Sequence, residues 1–263
     1  LIVIEPDLGS AVMVLAAAAV MLFVAGLRFR YLGAAAGLAP RHTGGNRSGT
    51  VRTLGLDPGI PLAGPALGGR VALVLPTPAT QLSGIAETVA QEVAFAPANL
   101  GWSRDRIRER VARALASLGI SHLAGRDPGT LSGGEMQRTV IAAMLVLEPE
   151  LWLLDEPTSA LDAAGRMLVH GLLRSEAARG AAVVIASEDT DGLRTVADRL
   201  IVFEAGCPAL DGSPDAILRG DRVWEVGAAS TTIAGLSRAA SGPATELPYP
   251  FLHFLDGAQK ALL

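Results

Sequence analysis

Residues 131–162 read LSGGEMQRTVIAAMLVLEPELWLLDEPTSALD. The apolar run Leu151–Leu154 predicts a buried strand that ends at Asp155, with Glu156 directly after it. Ligands of open α/β sheets bind at the carboxyl ends of strands, so two carboxylates there stand at the mouth of the sheet. In a nucleotide site the first can hold Mg²⁺, directly or through water. The second can polarise an attacking water as a general base. Two adjacent acids after a strand are weak by themselves; the continuation Pro157-Thr158-Ser159-Ala160-Leu161-Asp162 makes the reading strong. Upstream, Leu131-Ser132-Gly133-Gly134-Glu135-Met136-Gln137-Arg138 opens a helix predicted over about 134–147. Its glycines admit close backbone approach, and the N–H groups of a helix start favour phosphate.

Outward from this segment, strands alternate with helices. Val71–Leu75 reads as a buried strand between Gly and Pro. Ser103–Leu118 reads as a helix with Ser103 as N-cap, Ile107, Val111, Leu115 and Leu118 at helical spacing, and Gly119 as the stop. Its arginines interleave with Asp105 and Glu109, as on a solvated helical face. Ala164–Arg179 reads as a helix; Ala182–Ser187 and Leu200–Glu204 read as strands. The alternation argues for an α/β sheet with a large parallel component. Pro40–Gly69, rich in Gly, Pro and Arg, reads as irregular.

The 263 residues suffice for one large domain, or a domain with an appendage. A net charge of −4 points to no nucleic-acid partner. The lone Cys207 excludes an internal disulfide framework, and His42, His122, His170 and His253 show no metal-ligand spacing. Mean hydropathy is +0.38, high for a soluble chain. It draws attention to Gly9–Leu27, a charge-free run close to the roughly 20 residues that span a bilayer as a helix. Glu5 and Asp7 precede the run, and Arg28, Arg30 and Arg41 follow it, which puts its C-terminal side in the cytoplasm. The acidic N-terminal flank is unlike a signal peptide. The expectation is one N-terminal transmembrane helix, with a buried Ala-rich helix as the other reading.

Residues 131–162 resemble the ABC ATPase family. Leu131–Gln137 looks like its signature motif, Leu151–Asp155 like the Walker B strand, Glu156 like the catalytic glutamate, and Ser159–Asp162 like the D-loop. In that family two ATPase domains pair head to tail, and the signature of one covers the γ-phosphate held by the other. The resemblance therefore implies ATP and Mg²⁺ as cofactors. It implies that Ser132, Gly133, Gly134, Glu135 and Gln137 serve a partner's nucleotide in trans, Ser159 and Asp162 forming the D-loop. It implies that Asp155 (as the Mg²⁺ ligand) and Glu156 (as the base) act in cis. Val74–Gly101, with Pro78, Gln81 and Glu92–Gly101 (EVAFAPANLG), looks like the energy-coupling factor branch of cobalt, nickel and vitamin importers. Leu210–Pro214 and Thr232–Leu236 look like its C-terminal extension. The partners implied are a second ABC ATPase subunit, a transmembrane coupling component and the cell membrane, with the ATPase part on the cytoplasmic side.

Several positions depart from the pattern. No G-x-x-x-x-G-K-[ST] occurs anywhere. The nearest stretch, Gly44–Val51, would put Thr50 where the lysine belongs; Ser48–Gly55 looks more like the strand that follows the P-loop helix. Pro76 stands where the Q-loop glutamine belongs, and Glu188 where the switch histidine belongs. A carboxylate there cannot donate as histidine does, and it repels a phosphate. Glu5–Ser10 and Ala25–Leu32 resemble a fragment of the SEDS glycosyltransferases of cell division and shape, which one span is too short to constitute. The two resemblances meet near residues 37–48, as a natural fusion or a frameshift or assembly artefact would join them. The expected architecture is a truncated P-loop NTPase fold of the α/β class with a helical subdomain, preceded by the membrane helix. Its parts are a SEDS-like segment 1–36, a junction 37–48, a partial ABC ATPase domain 49–220 and a C-terminal extension 221–263. The expected function is a partial or degenerate ATP-binding subunit that lends its signature and Walker B strand to a composite dimer. The alternative is a non-catalytic, membrane-anchored interaction protein.

Overall fold

The computed structural model describes residues 2–4, 12–14, 21–25, 52–57, 67–204, 207–220 and 222–225. Its centre is a six-stranded sheet. The strands contributed after residue 70 are β4 (Val71–Val74), β5 (Leu151–Asp155), β6 (Ala182–Ala186), β7 (Arg199–Glu204) and β8 (Cys207–Gly212). The sixth is β3 (Met21–Ala25), and the order across the sheet is β4-β5-β6-β3-β7-β8. Every pairing is parallel except β7 with β8. β1 (Ile2–Ile4) and β2 (Val12–Val14) form a separate antiparallel pair. Parallel strands covered on both faces read as unbroken apolar runs. β5 obeys this, with Leu151, Trp152, Leu153 and Leu154 all fully buried.

The predicted membrane helix is corrected here. Within Gly9–Leu27, Val12–Val14 and Met21–Ala25 are strands, and β3 lies between β6 and β7, hydrogen-bonded in parallel to both. Among the described residues, no helix is long and apolar enough to cross a membrane. The physical reason is that periodicity cannot separate a buried strand from a buried helix in a charge-free run. The neighbours that would complete a strand's ladder lie more than 150 positions away in the chain, as Phe23 aligned with Ile185 and Leu200 illustrates.

Helices α1 (Val89–Asn99), α2 (Arg104–Ser117) and α3 (Gly133–Leu145) form the helical group beside the sheet. Each start is written locally. Thr88 caps α1 in a reciprocal box with Gln91, Ser103 precedes α2, and Ser132 caps α3 in a box with Glu135. Leu118, Ile120 and Ile141, all 0% exposed, lock this group together. α4 (Ala163–Ala178) follows β5, and Leu173 buries it in the same core. Short helices α5 (Thr190–Arg194), α6 (Pro214–Leu218) and α7 (Arg222–Glu225) complete the described chain. The expected helices at 103–118, 134–147 and 164–179 and the four expected strands are all found within two residues of their ends. α1, β1, β2, β3 and β8 as such, and the short helices α5, α6 and α7, are not expected from the sequence. α1 carries Pro97 near its end, which hides it from a helical reading. Arg52–Leu56 is a tight turn in which Thr53 and Leu56 exchange backbone hydrogen bonds at 2.7 and 2.9 Å, with Leu54 and Gly55 both at positive φ. The stretch Gly44–Val51, the junction 37–48 and the C-terminal extension beyond Glu225 lie outside the described residues.

Candidate functional site

Two registers set the level of the site. Val24 of β3 and Asp155 of β5 align with the same residue, Ala186, from opposite sides of β6. The chain leaves β3 toward β4 at one edge of the sheet and leaves β6 toward β7 on the other side. Such a reversal opens a crevice beyond the carboxyl ends of the two strands, where ligands of open sheets bind. Asp155, Glu156 and the Ser187-Glu188 turn all stand at that edge.

Asp155 is half-buried, and its carboxyl is raised above the ordinary aspartate range by burial first and by the neighbouring Glu156 second. An acid whose folded value is raised costs stability wherever it is ionised, and the cost vanishes as pH falls through the folded value. Asp155→Asn is therefore expected to raise the melting temperature at pH 7. The gain should shrink as the pH is lowered toward 4, measured by thermal melts across pH. A divalent cation would relieve the same cost, so Asp155 fits one ligand position of a Mg²⁺ ion that keeps several waters.

Glu156 sits at φ +46, a left-handed backbone that a glutamate adopts only under local constraint. The constraint is visible. Its N–H donates to Ala186 O at 2.8 Å. Its carboxylate accepts from Ser187 Oγ at 2.8 Å and from the backbone N–H of Glu188 at 2.7 Å. Ser187 is 5% exposed and also accepts from Asp189 N at 3.2 Å. Glu188 thus engages Glu156 through its main chain, while its side chain is exposed. A carboxylate has about four acceptor positions, so Glu156 keeps free ones for a water.

The glycine-rich segment adjoins the acidic one. A Cβ on Gly134 would stand 3.1 Å from Ala160 O, and one on Gly133 would stand 3.9 Å from Ala160 Cβ. Ser132 and Gly133 are exposed at the start of α3. Ser132 donates from both its N–H and its hydroxyl to Glu135 Oε2 at 2.8 Å. Gln137 lies on the inward side of α3, 0% exposed, with both amide atoms unpaired among the described residues; its side chain is not on the surface that carries Ser132. Ser159 donates to Glu156 O at 3.0 Å, which folds the turn after β5. Asp162 caps α4, accepting from Gly165 N at 2.7 Å.

Pro76 is exposed beyond the end of β4. Gln81 does local work instead: its amide accepts from Leu75 N at 2.6 Å and donates to Leu73 O at 2.9 Å. It completes the open ladder of the edge strand β4, as a neighbouring strand would. Ser187 and this duty of Gln81 had no signal in the sequence, because both depend on partners fixed by the fold. The chain contains a single lysine, Lys260, and the residues after β3 read Gly26-Leu27-Arg28-Phe29-Arg30. No lysine follows β3 within the next 230 residues.

The family model described as ABC transporter matches residues 59–159. The nickel import ATP-binding protein NikO of Rhodobacter capsulatus is 43% identical over 152 residues, 57% of this chain and 59% of that protein. A putative ABC transporter ATP-binding protein of Bifidobacterium longum is 36% identical over 62% of this chain, which spans only 21% of it. The energy-coupling factor transporter ATP-binding protein EcfA2 of Caldanaerobacter subterraneus is 32% identical over 197 residues, 74% of this chain and 68% of that protein. Among solved structures, cbiO1 of Clostridium perfringens, part of the ABC transporter complex cbiONQ, superposes with a TM-score of 0.66 at 26% identity, covering 84% of this chain and 88% of that one. Fold, motif geometry and relatives agree: the chain belongs to the ABC transporter ATPase family, in its energy-coupling branch.

Proposed function

We propose that this chain is an ATP-binding subunit of an energy-coupling factor importer that works as the asymmetric half of an ATPase dimer. Its Ser132, Gly133 and Gly134 complete the nucleotide site of a partner subunit that has its own phosphate loop. Its own site, built on Asp155 and Glu156, binds ATP weakly and turns it over poorly. The observation that carries this reading is the pairing of an ordered, exposed signature start with a chain that has no lysine before Lys260. A P-loop lysine reaches the β- and γ-phosphates, and an exposed glutamate at position 188 adds a negative charge where that site needs a donor. Relatives named as nickel-import and energy-coupling factor transporter ATP-binding proteins support an importer as the setting; a transmembrane coupling component and a position on the cytoplasmic face of the membrane are part of the same proposal.

The test mixes this chain with the Rhodobacter capsulatus nickel-import ATPase in which that protein's own signature glycine is replaced by aspartate. Each alone is expected to show negligible ATP hydrolysis, and the mixture to regain it. Absence of any gain on mixing overturns the composite reading. Clear turnover by this chain alone, abolished by Glu156→Gln, overturns the reading of its own site.

A further inference from the structure

The signature of this chain carries a carboxylate, Glu135, in the first turn of α3. Its acid is held below the ordinary glutamate range, first by Ser132 N–H, then by the Ser132 hydroxyl, and further by Arg126 and Arg138. It is therefore ionised at the very surface where a partner's phosphate must arrive. Like charges at close range repel. Something has to offset that charge.

Arg126 is placed to do so. Each nitrogen of its guanidinium has an assigned neighbour. Nε donates to Thr130 Oγ1 at 3.2 Å and Nη2 to Thr130 O at 2.8 Å, while Nη1 stands 3.5 Å from Glu135 Oε1. The fork thus fixes the loop before the signature and aims its remaining edge at Glu135. Its carbonyl accepts from Val89 N at 2.9 Å, which ties the same residue to the start of α1. Arg138, the other nearby cation, is turned to the carbonyls of Gly134 and Leu118 at 3.3 and 3.4 Å.

We infer that Arg126 is a positioning residue for the signature: it cancels the charge of Glu135 and holds that carboxylate beside Ser132, so that a partner's nucleotide phosphate can approach Ser132 and Gly133. The inference rests on the composite-dimer reading above.

The experiment uses the same mixture with the signature-disabled nickel-import ATPase, so that turnover depends on this chain's signature. Arg126→Ala is expected to lower turnover about tenfold at about 0.1 M salt and distinctly less at about 1 M, where screening is short-ranged. Arg126→Lys, which keeps the charge and loses the fork, should recover most of the loss. In a Glu135→Gln background, Arg126→Ala should cost less than about twofold relative to Glu135→Gln alone, because no charge remains to cancel. A loss that persists undiminished in that background, or that Arg126→Lys shares in full, overturns the inference and leaves Arg126 a loop fastener. If Arg126→Ala does not fold, Arg126→Gln, which keeps most of the side chain and loses the charge, takes its place in both backgrounds with the same expected outcomes. A mixture that never turns over, even with the unaltered chain, fails the composite reading instead, so the two failures are distinct.

Discussion

A chain carrying Gly134→Asp should lower the turnover of the mixed dimer by about two orders of magnitude, the size of effect seen when one oxyanion-binding donor is lost. Two causes act together. The new Cβ would stand 3.1 Å from Ala160 O, so α3 or the turn after β5 must shift by a few tenths of an ångström. The new carboxylate would also add a second negative charge beside Glu135 at the surface offered to a partner's phosphate. Gly134→Ala separates the causes, because it has the crowding without the charge, and its effect should fall well short of the aspartate's. The fold should survive both, since an acidic side chain in the first turn of a helix is electrostatically favourable, and overpacking costs about 1–3 kcal/mol. Urea melts of the purified variants, run beside the ATPase assay, check this. Unchanged turnover in Gly134→Asp favours the interaction-protein reading.

The largest expected effect on stability is at Trp152. It is fully buried in β5 between β4 and β6, aligned with Ala72 on one side and Val183 on the other. Trp152→Ala should destabilise the fold by about 3–5 kcal/mol, through lost burial and the cavity left behind. That is a large share of the 5–15 kcal/mol typical of a whole domain. Trp152→Phe should cost distinctly less, because it leaves a smaller cavity and because the indole N–H has no hydrogen-bond partner among the described residues, so its removal leaves nothing unpaired. Urea unfolding midpoints give the comparison. The effect should carry to the site as well, since Asp155 is three residues on along the same strand. A phenylalanine variant as unstable as the alanine variant would mean that the indole nitrogen is bonded in solution.

Much of the site was legible in the order of residues, and the reason is local. Ser132 three positions before Glu135 writes its own capping box, and the apolar run 151–154 followed by two acids writes a strand with carboxylates at its mouth. These interactions close within four residues, so no fold is needed to predict them. The absence of any G-x-x-x-x-G-K-[ST] stretch and the residues Pro76 and Glu188 are read from the order of residues in the same way, as matters of fixed spacing.

What the order of residues could not settle are matters of long-range pairing. The apolar run 9–27 satisfies a membrane helix and a central strand equally well, and only the open ladders of β6 and β7 select the strand for Met21–Ala25. The same holds for the partners of Glu156, 31 and 32 positions away, and for Gln81, whose amide became a substitute neighbour for an edge strand. Local chemistry decides which segments cap, turn and run apolar. Which of them meet is decided when backbone donors and acceptors that cannot be left unpaired in the interior find partners across the whole chain.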